Sequence, residues 1–374
     1  MRILIIEDTL NGHSGTTRLT INIANGFQCL GDEVFMVFFS ETEDSRNVRE
    51  RLRNIDYYVL SDINKQNSFS PLRWYLLKKM SHIKGDDIAD FLAVIKLKSL
   101  LKKHKFIPDL IILSNFIAGI STFFLNKSTK KILYLHEAPI FNDFNPILRF
   151  ILRSLVERLN KETIFVAISE DISNNTYKSY GFRPESLMPI GFENPEIQEK
   201  KNEIILLDTR WTNDRDPLFI LDIIKELNYN FIMHGFITSE ETRAKLISKI
   251  QDLHKDKKIT LLEGLSSKDL STIYSKSKIV IRWAGFHESG NSLSIYDAIS
   301  YECVPVIDKH LGISNFIAEN IGSEIVVNKK AEEFVNVLNK IMNDEEFYNL
   351  ILNRVRITKK QFSWSNYSLK LKKI

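Results

Sequence analysis

The chain has 374 residues, 44% of them hydrophobic and 26% charged, which is the composition of a globular protein with room for two domains, each with its own core. A formal net charge of +4, unaccompanied by any nucleic-acid-reading motif, argues against a nucleic-acid partner. Cys29 and Cys303 are the only cysteines, which excludes a disulfide framework or a Cys-x-x-Cys ligand set and fits a reducing cytoplasm.

The opening run, MRILIIEDT, is apolar for too few residues and soon meets Glu7 and Asp8, so it reads as a first strand rather than a signal peptide. In the first half, strands are expected at 2–6, 34–39, 57–60, 110–113, 132–135 and 164–168. In the second half they are expected at 204–207, 230–233, 259–262, 279–281, 304–307 and 324–327. Amphipathic helical patterns fill the gaps, clearest at 217–227 and 239–253. Short apolar strands alternating with helices predict an α/β fold of two doubly wound, Rossmann-like domains with parallel sheets. The longest apolar run, 110–125, is broken by Ser114, Asn115 and Thr122 and is too short to span a membrane.

The seam falls in MPIGFENPEIQEKKNE, 188–203, a stretch rich in Pro, Gly and charge. The expected division is a first domain over 1–190, a second over 191–345 and a helical tail over 346–374 that crosses back to the first. Folds of this kind bind ligands in the crevice outside the carboxyl ends of their strands. Charge is uneven: residues 51–150 hold 16 Lys/Arg against 8 Asp/Glu, with Lys78, Lys79, Lys102, Lys103, Lys105, Lys127, Lys130 and Lys131 among Trp74 to Leu77 and their surroundings. A basic, aromatic region over 70–131 suits anionic lipid at the inner face of a membrane, and an ordinary solvated helix face explains the same charges.

The most informative stretch is IVIRWAGFHESGNSLSIYDAISYECVPVI, 279–307. A strand leads into a loop with His287, Glu288, Gly290 and Asn291, a helix opens at about Ser292, and a second strand follows. A helix N-terminus offers free N–H groups and partial positive charge, which suits phosphate, and small residues there permit close approach. Glu288 and Asp297 flank the helix start and can accept hydrogen bonds from sugar hydroxyls, so the stretch reads as a pocket for a sugar joined to a diphosphate. In LLDTRWTNDRDP, 206–217, Arg210 and Arg215 follow a strand and can clamp phosphate oxygens, or else pair with Asp208, Asp214 or Asp216. No DxD motif of the kind that places a divalent ion is read here. His13 reads as an acceptor contact or a solvated loop histidine, Trp211 and Trp283 as stacking platforms or packing, and Trp364 as the anchor of the last helix. No G-x-G-x-x-G follows a strand, which sets aside a nicotinamide-dependent dehydrogenase.

In order along the chain, these segments resemble the GT-B-fold glycosyltransferases (glycosyl transferases group 1), most closely the retaining nucleotide-sugar enzymes of glycosyltransferase family 4. RILIIEDTLNGHSGTTRLTINIANGFQCLGDEVFMV resembles the family's opening strand, glycine loop and helix. YLHEAP is similar to its strand ending in His, and TIFVAISEDISNNTYKSYG with SLMPIGFENP to the passage before its linker. Arg210 and Arg215 match its paired basic positions, Gly264 with SSKDLSTIYSKS a later segment, and FHESGNSLSIYDAISYECVPVI its E…E signature. Four departures stand out: Glu288 and Asp297 are nine apart where the family has eight, the second acid is Asp297 rather than Glu, Glu302 stands where it usually has Gly, and Asp208 with Thr209 replaces the small residue before Arg210.

The resemblance implies a nucleoside-diphosphate-sugar donor, a glycan, lipid-linked or protein acceptor, and transfer with retention; metal independence is expected from the lack of a DxD motif, and no other cofactor is expected. Arg210 and Arg215 would hold the pyrophosphate, Asp297 the ribose, and Glu288 and His136 the transferred sugar. Gly15, Gly264, Gly290, Asn291, Ser292 and Leu293 would line the donor. A catalytically silent subunit of the same fold, supporting a partner transferase, is the alternative.

Overall fold

The computed structural model describes the chain except for residues 12–13, 43–44, 53, 61–95, 137, 139–145, 196, 198–200, 213–214, 238, 254–258 and 286–291. It divides into two compact units: Met1–Ile190 with Trp364–Ile374, and Gly191–Ser363.

The first unit is built on a seven-stranded, wholly parallel sheet in the order β3-β2-β1-β4-β5-β6-β7. Its strands are β1 (Arg2–Leu10), β2 (Glu33–Glu41), β3 (Asp56–Val59), β4 (Leu110–Ser114), β5 (Lys130–Leu135), β6 (Ile164–Ala167) and β7 (Ser186–Leu187). Helices cover both faces of such a sheet, so central strands read as continuous apolar runs. Ile3 through Ile6 are fully buried, as is nearly all of β4. Helix α1 (Gly15–Cys29) follows β1, with the Ser14 hydroxyl accepting from the Thr17 N–H as its cap. Helix α2 (Asn115–Ile120) follows β4 directly, α3 (Pro146–Glu162) links β5 to β6, and α4 (Glu170–Tyr180) is capped by Ser169 and closed by left-handed Gly181.

The second unit has a six-stranded parallel sheet in the order β10-β9-β8-β11-β12-β13. It comprises β8 (Asn202–Asp208), β9 (Asn230–His234), β10 (Ile259–Leu262), β11 (Ser277–Arg282), β12 (Val304–Asp308) and β13 (Val326–Val327). Helices α5 (Phe219–Glu226), α6 (Glu240–Leu253), α7 (Ser267–Lys276), α8 (Leu293–Ser300) and α9 (Ser314–Asn320) connect them in turn. In both sheets the order reverses beside the first strand, between β1 and β4 and between β8 and β11.

Several boundaries differ from the sequence expectation for identifiable reasons. β1 continues past Ile6 to Leu10 because the Glu7 carboxylate is satisfied internally by Thr20 and does not end the strand. The strand expected at 324–327 is a 3-10 turn, Ser323–Ile325, followed by the two-residue β13. The tail expected over 346–374 divides at 363. Helices α10 (Ala331–Asn343) and α11 (Glu345–Gln361) belong to the second unit. Phe347, Ile351, Leu352 and Val355 form the buried face of α11, and Phe362 sits edge-on to Phe316 at 5.0 Å. Only α12 (Trp364–Lys373) and the final residue join the first unit, where α12 lies along α1. There the Ser368 hydroxyl donates to the Ile23 carbonyl at 3.2 Å, and Lys372 pairs with Asp32. Gly26 has no Cβ because the Trp364 backbone and the Ser368 side chain occupy that space.

Candidate functional site

In an open parallel sheet the carboxyl edge beside the order reversal is where no crossover helix covers the strand ends, and ligands bind there. In both units, residues singled out in the sequence lie at that edge.

In the second unit, β8 ends in Asp208, Thr209 and Arg210. Arg210 is exposed, and Arg215 is half-buried with a guanidinium N–H 3.4 Å from the Thr209 hydroxyl. The loop that carries them is fixed by indoles. Trp211 donates its Nε1–H to the His234 carbonyl at 3.1 Å, and Trp283 donates to the carbonyls of Arg215 at 2.9 Å and Asp216 at 3.2 Å. Both rings are fully buried, 6.2 Å apart, so they pack beneath the loop and are not platforms for a sugar or base. Gly235, with φ of +145°, admits the Thr209 carbonyl into the space a Cβ would fill, and this brings the end of β9 against the Arg210 loop.

Asp208, expected only as a pairing choice for the arginines, is engaged elsewhere. Its Oδ1 meets His234 Nδ1 at 2.8 Å, and its Oδ2 accepts from the Tyr274 hydroxyl at 2.6 Å. Burial, then the charges of Asp208 and Asp297, push the Tyr274 phenol well above its ordinary range.

Neighbouring β11 ends in Arg282, whose guanidinium is buried. Its Nε–H donates to the Ser292 hydroxyl at 3.1 Å, and another N–H donates to the Trp283 carbonyl at 2.9 Å. Ser292 is the N-cap of α8, with Leu293 as its first residue and Ser294 within 2.8 Å of the Ser292 hydroxyl. A buried cation thus lies under a helix N-terminus that itself carries partial positive charge, which favours an anion above it. The sequence reading missed Arg282; the available signal was a lone arginine closing the apolar run 279–281. Asp297 lies one turn into α8 and is buried, with its charge also raising the Cys303 thiol after burial has done so. Gly264 follows β10 in a left-handed conformation, φ +64°, on the same edge.

Glu288, Gly290 and Asn291 lie outside the described residues, as do His287 and His13. The loop of Arg215 also spells Asp214-Arg215-Asp216, a D-x-D run that the sequence reading did not count. Asp216 pairs with Lys329 at 2.9 Å, Asp214 lies outside the described residues, and no group of three or more metal-ligating side chains occurs among those described.

In the first unit, Gly15 opens α1 after β1, and the ends of β4 and β5 bring Ser114 and His136 together, with His136 Nε2 3.0 Å from the Ser114 hydroxyl. Burial lowers the His136 imidazole to about 3, so the ring is neutral at physiological pH. Its Nδ1 is out of solvent and has no hydrogen-bond partner among the described residues. Ser114 in turn lies 3.1 Å from the Thr20 hydroxyl, which donates to Glu7 Oε2 at 2.6 Å. Sequence reasoning missed this group; its signal was an acid continuing an apolar strand.

The 70–131 region is only partly visible, since 61–95 lie outside the described residues. Lys102, Lys103, Lys105 and Lys127 are exposed, whereas Lys131 is buried with Nζ donating to the carbonyls of Lys127 and Thr129, so it adds nothing to a basic surface. No helix among the described residues is long and apolar enough to cross a membrane.

Residues 193–357 match the family model described as glycosyl transferases group 1. No curated protein matches the sequence. Solved structures that share the fold over the whole chain include the following three. A glycosyltransferase from Rickettsia africae is 16% identical, with TM-score 0.72 and coverage of 100% of this chain and 97% of that one. HepE from Anabaena, in complex with UDP and glucose, is 14% identical, with TM-score 0.68 and coverage of 100% and 98%. Sucrose-phosphate synthase from Thermosynechococcus elongatus is 12% identical, with TM-score 0.66 and coverage of 100% and 98%. The fold is therefore GT-B, and the second unit carries the group 1 match.

Proposed function

We propose that this GT-B-fold chain is a glycosyltransferase that moves a sugar from a nucleoside-diphosphate donor to a glycan, lipid-linked or protein acceptor, with retention and without a metal. The observation that carries the reading is the β8/β11 edge of the second unit. There the Arg210–Arg215 loop is tied by Trp283 to the strand whose continuation leads to the Ser292 helix start.

Breaking the bond between the anomeric carbon and the diphosphate leaves negative charge on the phosphate oxygens. The buried Arg282 and the N–H groups at Ser292 and Leu293 are fixed before reaction, Arg215 is held against Thr209, and the exposed Arg210 joins them in stabilising charge as it develops. The acceptor oxygen bonds to the anomeric carbon on the face the diphosphate leaves, and the acceptor's proton departs with the released nucleoside diphosphate. Asp297 binds the ribose hydroxyls, Gly15 and Gly264 give the donor access to backbone, and Glu288 and His136 contact the transferred sugar. The exposed lysines of 102–127 favour a lipid-linked or cell-envelope acceptor at the inner face of a membrane.

The test is thermal stabilisation of the purified chain by UDP, GDP, TDP, ADP and CMP in the presence of a chelator, with UDP placed first because HepE is held with UDP. One nucleoside diphosphate should stabilise the chain, and the effect should vanish in Arg210→Ala. A folded protein that responds to none of them would overturn the donor site and leave the silent supporting subunit as the better reading.

A further inference from the structure

Glu7, Thr20, Ser114 and His136 come from four different elements (β1, α1, the end of β4 and the residue after β5) and form one line of hydrogen-bonding atoms. From His136 Nε2 to Ser114 Oγ is 3.0 Å, from Ser114 Oγ to Thr20 Oγ1 is 3.1 Å, and from Thr20 Oγ1 to Glu7 Oε2 is 2.6 Å. Glu7, Thr20 and Ser114 are each at most 3% exposed, so these groups take their hydrogen-bond partners from one another rather than from bulk water. Each hydroxyl has one proton to give, and a carboxylate has none.

The polarity of the line follows. If Glu7 is a carboxylate, it accepts from the hydroxyls beside it. Ser114 then has no proton left for His136, so its oxygen accepts from Nε2–H and His136 Nδ1 is a bare acceptor. If Glu7 is a carboxylic acid, it donates to Thr20. Thr20 can pass its own proton toward Ser114, with the Thr16 carbonyl at 3.1 Å as the competing acceptor. Ser114 then donates to Nε2, and the imidazole proton sits on Nδ1. We infer that Glu7 is a positioning residue that, through Thr20 and Ser114, decides which nitrogen of His136 carries the proton, and so whether Nδ1 offers a donor or an acceptor to a bound ligand.

The surroundings of Glu7 allow both states near neutral pH. Burial raises its carboxyl to about 7, against the opposing hydrogen bonds of Ser114 and Thr20. Among the described residues, the elements packed on β1 bring few charges: Arg18 on α1, Glu33 and Glu41 at the two ends of β2, and none on β4 or α2. Asp8 is the next residue along β1 and points to the opposite face of the sheet. None of these is among the causes of the Glu7 shift.

The importance of this switch for catalysis rests on the reading of His136 as a sugar contact, but the switch itself does not, so the test starts without donor. Two-bond proton–nitrogen spectra of the full chain, labelled with 15N-histidine and assigned with His136→Gln, distinguish bare from protonated ring nitrogens. From about pH 8 to about pH 6 the His136 proton should move from Nε2 to Nδ1 in the wild type and in Thr20→Ser, which keeps the hydroxyl. Ser114→Ala should abolish the pH response, and Glu7→Gln should fix one tautomer across the window. A wild-type tautomer that does not change between these pH values overturns the inference even if the variants fail to fold, and so does an unchanged response in Ser114→Ala. If transfer is then measured, Glu7→Gln should shift the pH profile of kcat and leave donor KM unaltered. A tautomer switch with no effect of His136→Gln on transfer would retain the switch and reject the sugar contact.

Discussion

The indole of Trp283 holds the backbone carbonyl of Arg215 at 2.9 Å, so a buried side chain at the end of β11 sets the height of a loop that begins at the end of β8. The same N–H also reaches the Asp216 carbonyl, which makes the contact a clamp on the turn rather than on one residue. Trp283→Phe keeps most of the packing and removes the donor. The loss of about 1 kcal/mol expected for one buried hydrogen bond should appear as roughly fivefold weaker nucleotide binding. Calorimetric titration with the nucleotide that stabilises the wild type checks this; equal affinity in Trp283→Phe would show that the loop is held by other contacts.

Gly235 supports the same loop from the other side. A methyl group there meets the Thr209 carbonyl, and the φ of +145° is open only to glycine. Gly235→Ala should cost about 2 kcal/mol or more in urea unfolding of the second unit and move the Arg210 loop. Nucleotide binding should fall further than in Trp283→Phe. Unchanged stability would mean that β9 shifts freely, against the close approach seen here.

Glu302 occupies a left-handed position, φ +57°, where glycine would sit without strain. Its carboxylate receives Arg356 at 2.7 Å and Lys359 at 3.1 Å, and Lys359 is buried. Burial alone pushes the Glu302 carboxyl up, but the two cations outweigh it and hold it below its ordinary value. Glu302→Gly relieves about 1 kcal/mol of backbone strain and strands a buried lysine, which costs more. The variant should be less stable by about 1–2 kcal/mol overall, with donor binding unaffected because Glu302 lies at the amino end of β12, across the sheet from Arg210. A more stable Glu302→Gly variant would show that the strain dominates.

Glu7 and His136 give opposite pH dependences. The Glu7 carboxyl, at about 7 against an ordinary 4.5, takes its proton first in the folded state. Its contribution is therefore fully present below 4.5 and is lost as pH rises through 7. His136, at about 3 against 6.5, takes its proton first in the unfolded state, so its contribution is present above 6.5 and is lost as pH falls toward 3. Over the overlap, 4.5 to 6.5, the two oppose. Glu7→Gln removes one side, and its stability should fall on acidification where the wild type stays nearly level. The gap between the two should change by about 3 kcal/mol across pH 4.5 to 8. Urea melts at several pH values measure it, and parallel profiles would refute it.

Much of this was legible in the sequence. Parallel strands buried on both faces are runs of Ile, Leu and Val, and those at 110–113 and 259–262 could be placed within a residue of their observed bounds. β7 left no trace because two residues, Ser186 and Leu187, carry no periodicity. Arg210, Arg215 and Ser292 were readable because charge and small residues directly after a strand mark its carboxyl edge. Arg282, Asp208 with Tyr274, and the line from Glu7 to His136 were not. Their meaning depends on partners 10, 66 and 129 residues away, and only strand order brings those together.

The division of the terminal helices has a consequence for how the chain is made. Trp364–Ile374 completes the first unit, yet it is synthesised after the whole of the second. Until then α1 has an open flank, with Gly26 and Asp32 lacking the helix that covers them, while residues 191–363 can already close on themselves. The unit encoded first is thus the last to be finished, and a ribosome stalled anywhere between the two leaves an exposed helix face that invites chaperones or aggregation.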